Sequence, residues 1–490
     1  MILDEILKNL KNGHQDKAYT ENNISYTYKE FYKYVCNIYK FLITNNKEKR
    51  DVIVYGNKEA YMKASFLACS FAGITYIPID KSIPDERVNL IIEQTEPYCI
   101  IGDFNYSGCI NISKEQINEI MNKDVTEEIN KIYMKPEDTY YIIFTSGSTG
   151  IPKGVEVLYR NLDSCIRWLQ EVTRIEKGVV LNQAIFSFDL SVADLYLSLI
   201  SGSEHYILGE ATSFDFNKTF EKLKSCNATL AVFTPSYADL LLLDKSFNKN
   251  LLPKLNTIIF CGEKLPKTTV EKLNQRFDKI RIINSYGPTE CTFAVTSIDI
   301  TKDILAQGEI PVGKPKNDVA ILIIDENKNI LPEGETGEIM IIGESVAKGY
   351  LNNNQDNSFT MYNGKKAYLT RDLGYLKDGL LYCNGRRDNQ IKFKGYRIEL
   401  SDIEKNFYNL NYIEKVKVIP KETEDNKIVK LIAYVQLKYD IIKEEKEIKS
   451  DLSKKVPEYM IPSIKILEQF PINNNGKIDV KELRRITNGK

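Results

Sequence analysis

Histidine is almost missing from this chain: His14 and His205 are the only two. That scarcity nearly excludes a histidine-built metal centre and Ser-His-Asp hydrolysis. Cysteine is present nine times, but no pair stands in C-x-x-C spacing and the total is odd. Neither a disulfide framework nor a zinc site is expected, and reduced, mostly buried thiols fit a cytoplasmic protein better. An excess of one charge is lacking too, with 66 basic against 67 acidic residues and a net charge of −1. Nothing therefore advertises nucleic acid or an anionic membrane as a partner. No long apolar run occurs either. The longest uncharged stretch, Ala64 to Ile79, is broken by Ser70, Gly73, Thr75 and Pro78 and is too short to span a bilayer. It reads as a buried helix, a turn and a strand. The opening MILDEILKNLKNG lacks the unbroken apolar core of a signal peptide. Its Ile2, Leu3, Ile6, Leu7 and Leu10 fall on one helical face that Gly13 ends. A soluble, cytoplasmic protein without membrane insertion is expected.

What is there is ordinary globular composition, 43% hydrophobic and 27% charged, over 490 residues, enough for two or three units. Strand-like runs such as DVIVYG (51–56), YIPID (76–80), YCIIGD (98–103), TLAVFT (229–234) and NTIIFCG (256–262) alternate with amphipathic helical patterns. That alternation predicts α/β layers. Near Asp388 the text becomes dense in charge, and about a hundred residues follow with strand runs of their own at 415–420 and 431–437. The expected organisation is an α/β, multi-sheet domain over 1–387 and a small α+β domain over 388–490.

One stretch organises the rest: IIFTSGSTGIPKG, residues 142–154. An apolar strand breaks into the small residues Thr145, Ser146, Gly147, Ser148, Thr149 and Gly150, then Pro152 and Lys153. Glycines and short hydroxyl residues let backbone N–H groups surround an anion, and Lys153 adds a mobile positive charge. The natural guest is a polyphosphate. The G-x-x-x-x-G-K-[ST] P-loop is not what is written here, because Pro152 precedes the lysine and Gly154 follows it.

TSGSTGIPKG resembles the phosphate-loop signature of the AMP-forming adenylating enzymes, among them acyl-CoA synthetases and nonribosomal-peptide adenylation domains. Further motifs extend the resemblance and imply roles. In NSYGPTE (284–290), Gly287 and Pro288 turn the chain. There Tyr286 would stack on adenine, Asn284 would read its edge, Ser285 would border nucleotide and substrate, Thr289 would contact phosphate and Glu290 would hold Mg²⁺. In YLTRDLGY (368–375), Asp372 would accept from both ribose hydroxyls, a task suited to a two-oxygen carboxylate. Arg371 replaces the family's usual glycine there, which is strained if the backbone needs positive φ. Asn384, Gly385 and Arg386 would make the second sugar or phosphate contact. Asp388 matches the hinge about which the small, mobile C-terminal domain rotates. In PINNNGKID (471–479), Lys477 matches the catalytic lysine, whose ammonium would also touch nucleotide and substrate and offset the charge gathering at the α-phosphate. Val480 stands where the family usually has arginine, with no evident consequence.

FSFDLSVADLY (186–196) sets the branch. In amino-acid-activating relatives the aspartate at the position of Asp189 pairs with the substrate ammonium, because an unpaired ammonium in a dry pocket is costly. A helix-capping aspartate is the plainer alternative. The likeness is nearest, almost end to end, to the D-alanine–carrier protein ligases. It implies a pocket of Asp189, Leu190, Ala193, Val232, Cys261, Ser285, Phe293 and Ala294, with Ala193 replacing the usual methionine and Phe293 the usual valine. ATP, Mg²⁺, a small amino acid (D-alanine first) and a separate phosphopantetheinylated carrier protein are the implied cofactors and partners. The rivals are an adenylation enzyme loading another small amino acid and a nucleotide sensor without turnover.

Overall fold

Parallel and antiparallel strand pairs both build the computed structural model, which describes residues 1–124, 128–147, 150–209, 215–352, 357–388, 390–423, 428–439, 441–472 and 478–488. It falls into two compact units. The first comprises Met1–Lys81, Gln94–Ile143 and Gly154–Arg387; the second comprises Ser82–Glu93, Phe144–Lys153 and Asp388–Lys490. A contiguous 1–387 domain was expected, whereas two internal segments, one of them the phosphate loop, group with the C-terminal part.

Two large sheets carry the first unit. One has the order Gly349–Tyr350, Lys153–Leu158, Thr139–Thr145, Tyr76–Asp80, Val52–Gly56, Cys99–Ile101 and Ile110–Ile112. The other runs Lys314–Pro315, Thr296–Asp299, Arg281–Tyr286, Thr257–Phe260, Leu230–Phe233, Val179–Asn182, Glu204–Ile207, Lys17–Glu21 and Ile24–Thr27. Their central strands pair in parallel and are buried on both faces, so they spell unbroken apolar runs such as VIVYG and LAVF. The uncharged stretch resolves as a helix, Ala60–Ala72, buried at every position, ended by Gly73 at φ +70° and followed by the strand Tyr76–Asp80. Its burial on all sides is why its sequence shows no polar face. The helix Leu190–Ile200 is likewise buried throughout.

A third sheet is antiparallel, with Val319–Ile324, Gly337–Gly343, Lys365–Lys377 and Phe359–Tyr362 in order and Leu380–Arg386 paired to Lys365–Lys377. In the second unit the hairpin Gln390–Phe393/Tyr396–Glu399 precedes a sheet of Ile413–Glu422, Ile428–Leu437 and Ser463–Ile466. Helices Leu400–Tyr408 and Glu445–Ser453 supply Ile403, Phe407, Ile448 and Leu452 to its core.

Candidate adenylate-forming site

The strand Arg281–Tyr286 delivers Asn284, Ser285 and Tyr286 to the edge of the G-P-T-E turn. Gly287 is obligatory at the corner: a Cβ there would lie 2.6 Å from Ala294 Cα and 2.7 Å from the Phe293 carbonyl oxygen. Thr292 and Phe293 complete the turn at φ +58° and +71°, a conformation bulky side chains resist. The Asn284 amide nitrogen donates to the Pro311 carbonyl at 2.8 Å, while its buried Oδ1 has no partner. An orphaned buried acceptor carries a desolvation cost, and an amino group of a bound base would relieve it. Ser285 Oγ donates to the Phe260 carbonyl at 2.7 Å.

Tyr286 joins this turn to the third sheet, its hydroxyl donating to Asp372 Oδ2 at 2.6 Å. Burial, and then the Asp372 charge, push that phenol well above its ordinary range, so it stays a donor. Arg386 Nη1 donates to the other oxygen, Asp372 Oδ1, at 2.5 Å and its Nη2 to the Thr370 carbonyl at 3.2 Å. Arg371 adopts φ +60°, with its N–H on Glu338 Oε1 at 2.9 Å and its carbonyl accepting from Arg387 N at 2.9 Å. The left-handed backbone is thus retained without its glycine, at a cost of about 1 kcal/mol. Asn384 and Gly385 are exposed, the latter at φ +115°.

Asp189 stands at the N-cap position of the helix Leu190–Ile200, yet its side chain does not cap it. Instead Asp189 Oδ2 accepts from Thr289 Oγ1 at 2.7 Å, across 100 residues of sequence. Asp189 and the threonine of the G-P-T-E turn therefore meet. Leu190, Ala193, Val232, Cys261, Phe293 and Ala294 all belong to one buried apolar cluster. Glu290 is fully buried, with Oε1 accepting from the Tyr350 hydroxyl at 2.5 Å. Among the described residues no three of His, Cys, Asp and Glu gather into a metal site. A single hard carboxylate still fits magnesium, an ion that keeps several waters and takes phosphate oxygens as its other ligands.

Within the second unit the phosphate loop is shaped by its glycines. A Cβ on Gly147 would sit 2.1 Å from the Ile151 carbonyl oxygen, and Gly150 lies at φ +81°. Thr145 Oγ1 donates to the Lys153 carbonyl at 3.4 Å. Ser146 Oγ donates to the Arg397 carbonyl at 3.1 Å and accepts from Glu399 N at 3.2 Å, so this hydroxyl is engaged by the strand Tyr396–Glu399. Lys153 begins the strand Lys153–Leu158. Asp388 Oδ1 accepts from Gln390 N at 3.2 Å. Ser148, Thr149 and Lys477 lie outside the described residues.

Residues 8–351 match the AMP-binding enzyme family. The chain belongs to the AMP-binding enzyme family. This AMP-binding enzyme is 41% identical over 482 residues to a D-alanine–D-alanyl carrier protein ligase of Listeria monocytogenes serotype 4a, covering 94% of each chain. It is 42% identical over 445 residues to the enzyme of that name from Bacillus licheniformis, covering 88% of each. An adenylation domain from Vibrio cholerae solved with glycyl-adenosine-5′-phosphate has the same fold, with a TM-score of 0.82 at 23% identity over 99% of this chain and 97% of that one. Family and relatives together make this AMP-binding enzyme an AMP-forming ligase.

Sequence reading missed what stands behind the site. Tyr350 reaches Glu290 across 60 residues, and no motif signals that pairing. Asp194, on the same helix as Ala193, is wholly buried with Asn182 Nδ2 at 3.0 Å and His205 Nε2 at 2.9 Å. Lys58 and Lys63 complete this buried polar cluster, and burial brings their ammonium groups down to about 8 and about 7. His205 is driven toward neutrality by burial and then by the two lysines.

Proposed function

We propose that the enzyme activates D-alanine with ATP and passes it to the phosphopantetheine thiol of a separate carrier protein. In the first step a carboxylate oxygen of D-alanine attacks the α-phosphorus, the bond to the β-phosphate oxygen breaks, and pyrophosphate leaves. In the second the thiol sulfur attacks the acyl carbon, its proton is lost, AMP departs, and a thioester forms.

The observation that carries the reading is the Asp189–Thr289 contact of 2.7 Å, which joins an ammonium partner to the nucleotide motif. Asp189 would hold the α-ammonium and leave the carboxylate turned toward the nucleotide. The lone acceptor of Asn284 suits the adenine amino group, the Tyr286 ring its face, and Asp372, held by Arg386, the ribose diol. Thr145, Ser146, Gly147, Ser148, Thr149, Gly150 and Lys153 would cradle the phosphates. Magnesium at Glu290, when bound, would neutralise phosphate charge. Lys477 would place an ammonium where negative charge builds up, an electrostatic contribution that grows as water is excluded. Asp388 would act as the pivot that exchanges the two half-reactions. None of the helices, searched over the described residues, is long and apolar enough to cross a membrane. A cytoplasmic enzyme feeding D-alanine to teichoic acid synthesis fits this reading.

The second reading, loading of another small amino acid, draws on Ala193 and Phe293. Both are buried, and Phe293 is held at φ +71°, so the pocket differs in shape from one lined by methionine and valine. Pyrophosphate exchange with D-Ala, L-Ala, Gly, L-Ser and L-Pro tests both. D-Ala is expected to lead; exchange with another of them and none with D-Ala would overturn the assignment.

A further inference from the structure

Tyr350 joins two of the motif stretches, the G-P-T-E turn and the strand of Asp372. Its hydroxyl donates to Glu290 Oε1 at 2.5 Å, where the carboxylate is 0% and the tyrosine 7% exposed. The same hydroxyl lies 3.2 Å from the Tyr368 hydroxyl, and Tyr368 is on the strand Lys365–Lys377 that also carries Asp372. Phe359 packs against both rings, with centroids 5.2 Å from Tyr350 and 4.9 Å from Tyr368. The backbone of Tyr350 is fixed as well. Gly349–Tyr350 pairs with Glu156 and Val155, and the neighbouring Leu351 N donates to the Gly154 carbonyl at 2.7 Å. Three features thus meet at one residue: the strand that follows the phosphate loop in sequence pairs with its backbone, while the carboxylate of the G-P-T-E turn and the strand of Asp372 meet its hydroxyl.

We propose that Tyr350 is a positioning residue for the triphosphate end of the site, its hydroxyl fixing the rotamer and depth of the Glu290 carboxylate toward magnesium–ATP. The inference rests on the reading in which Glu290 faces that ion. A tyrosine that merely filled space would be matched by phenylalanine, because the ring contacts with Phe359 need no hydroxyl. A hydroxyl bound to a buried carboxylate does something different. It holds one oxygen in place and, through Tyr368, ties that orientation to the Asp372 strand. In a phenylalanine variant the Glu290 carboxylate would keep its charge but lose one of the contacts that fix its direction, and the cost would fall on ligands that meet it.

The test compares wild type with Tyr350→Phe, and Tyr368→Phe as a second variant that leaves the direct bond in place. Binding of magnesium–ATP and of AMP in EDTA is read by thermal shift and calorimetry, beside the magnesium dependence of pyrophosphate exchange. For Tyr350→Phe, magnesium–ATP affinity should fall and the half-saturating magnesium concentration rise by about tenfold or more, the scale of a hydrogen bond to a charged group. AMP binding without magnesium, the amino-acid KM and the melting temperature of the free protein should stay close to wild type. Tyr368→Phe should shift the same two quantities less. Equal magnesium–ATP binding in wild type and Tyr350→Phe would overturn the proposal, as would a uniform loss of AMP binding, amino-acid KM and melting temperature. Wild type that binds no magnesium–ATP would instead bring down the reading of Glu290 itself, and the proposal with it.

Discussion

Replacing Asp189 by Asn removes one charge and little volume, and it isolates the claim that an amino acid is the acid being activated. The carboxylate is part-buried at the head of a wholly buried helix, and Thr289 Oγ1 already donates to Oδ2 at 2.7 Å. Asparagine can still accept that bond through its amide oxygen, so the turn is kept and the ammonium partner is lost. A hydrogen bond to a charged group contributes about 1.5–3 kcal/mol, and leaving a buried charge without its partner costs about 3–5 kcal/mol. Partial solvent screening favours the lower end, about 3 kcal/mol, or somewhat over a hundredfold in kcat/KM. The assay is amino-acid-dependent exchange of pyrophosphate into ATP. The loss should appear chiefly in the D-alanine KM, with the ATP KM within about twofold of wild type. D-lactate, which keeps the carboxylate but has no ammonium, should not distinguish the two proteins. An unchanged D-alanine KM, or an equal rise in the ATP KM, would refute the reasoning.

Lys477→Ala should lower the rate of adenylation by about a hundred- to a thousandfold, judged from the loss of comparable charge-stabilising donors, while AMP still binds; single-turnover adenylate formation checks this. Gly287→Ala places a Cβ 2.6 Å from Ala294 Cα, so the turn must shift. Chemical denaturation should show a loss of about 1–3 kcal/mol, and ATP binding should weaken with it. Glu21 offers a test of pH dependence, since burial raises its carboxyl to about 7 against the pull of the Ala60 N–H. Between about 4.5 and 7 the folded chain holds a proton that the unfolded chain has released, so this group's contribution to stability falls as pH rises through that window. Glu21→Gln should abolish that slope in denaturation series run from pH 4.5 to 7.

The strands were legible because parallel strands covered on both faces must be apolar throughout, as in VIVYG and YIPID. The tight turns at TSGSTG and G-P-T-E were legible as turns because backbone geometry there demands glycine, and Gly147 and Gly287 have no room for a side chain. Arg371 was visible only as a misplaced residue; its φ of +60° explains why glycine is the usual choice. What escaped reading is made of contacts distant in sequence. Arg87 pairs with Asp402 at 3.1 Å within the second unit, across 315 residues, and no local pattern assigns Ser82–Glu93 to that unit. The Asp194–His205–Lys58–Lys63 cluster is equally silent, because each charge looks like a surface residue until its partners are known. Glu290 was placed by its motif, but its burial beneath Tyr350 was not.

The most direct measurement is pyrophosphate exchange by the purified chain with ATP, magnesium and D-alanine. The account predicts exchange that saturates with D-alanine and exceeds that with L-alanine and glycine. No exchange with D-alanine or any other amino acid would contradict it.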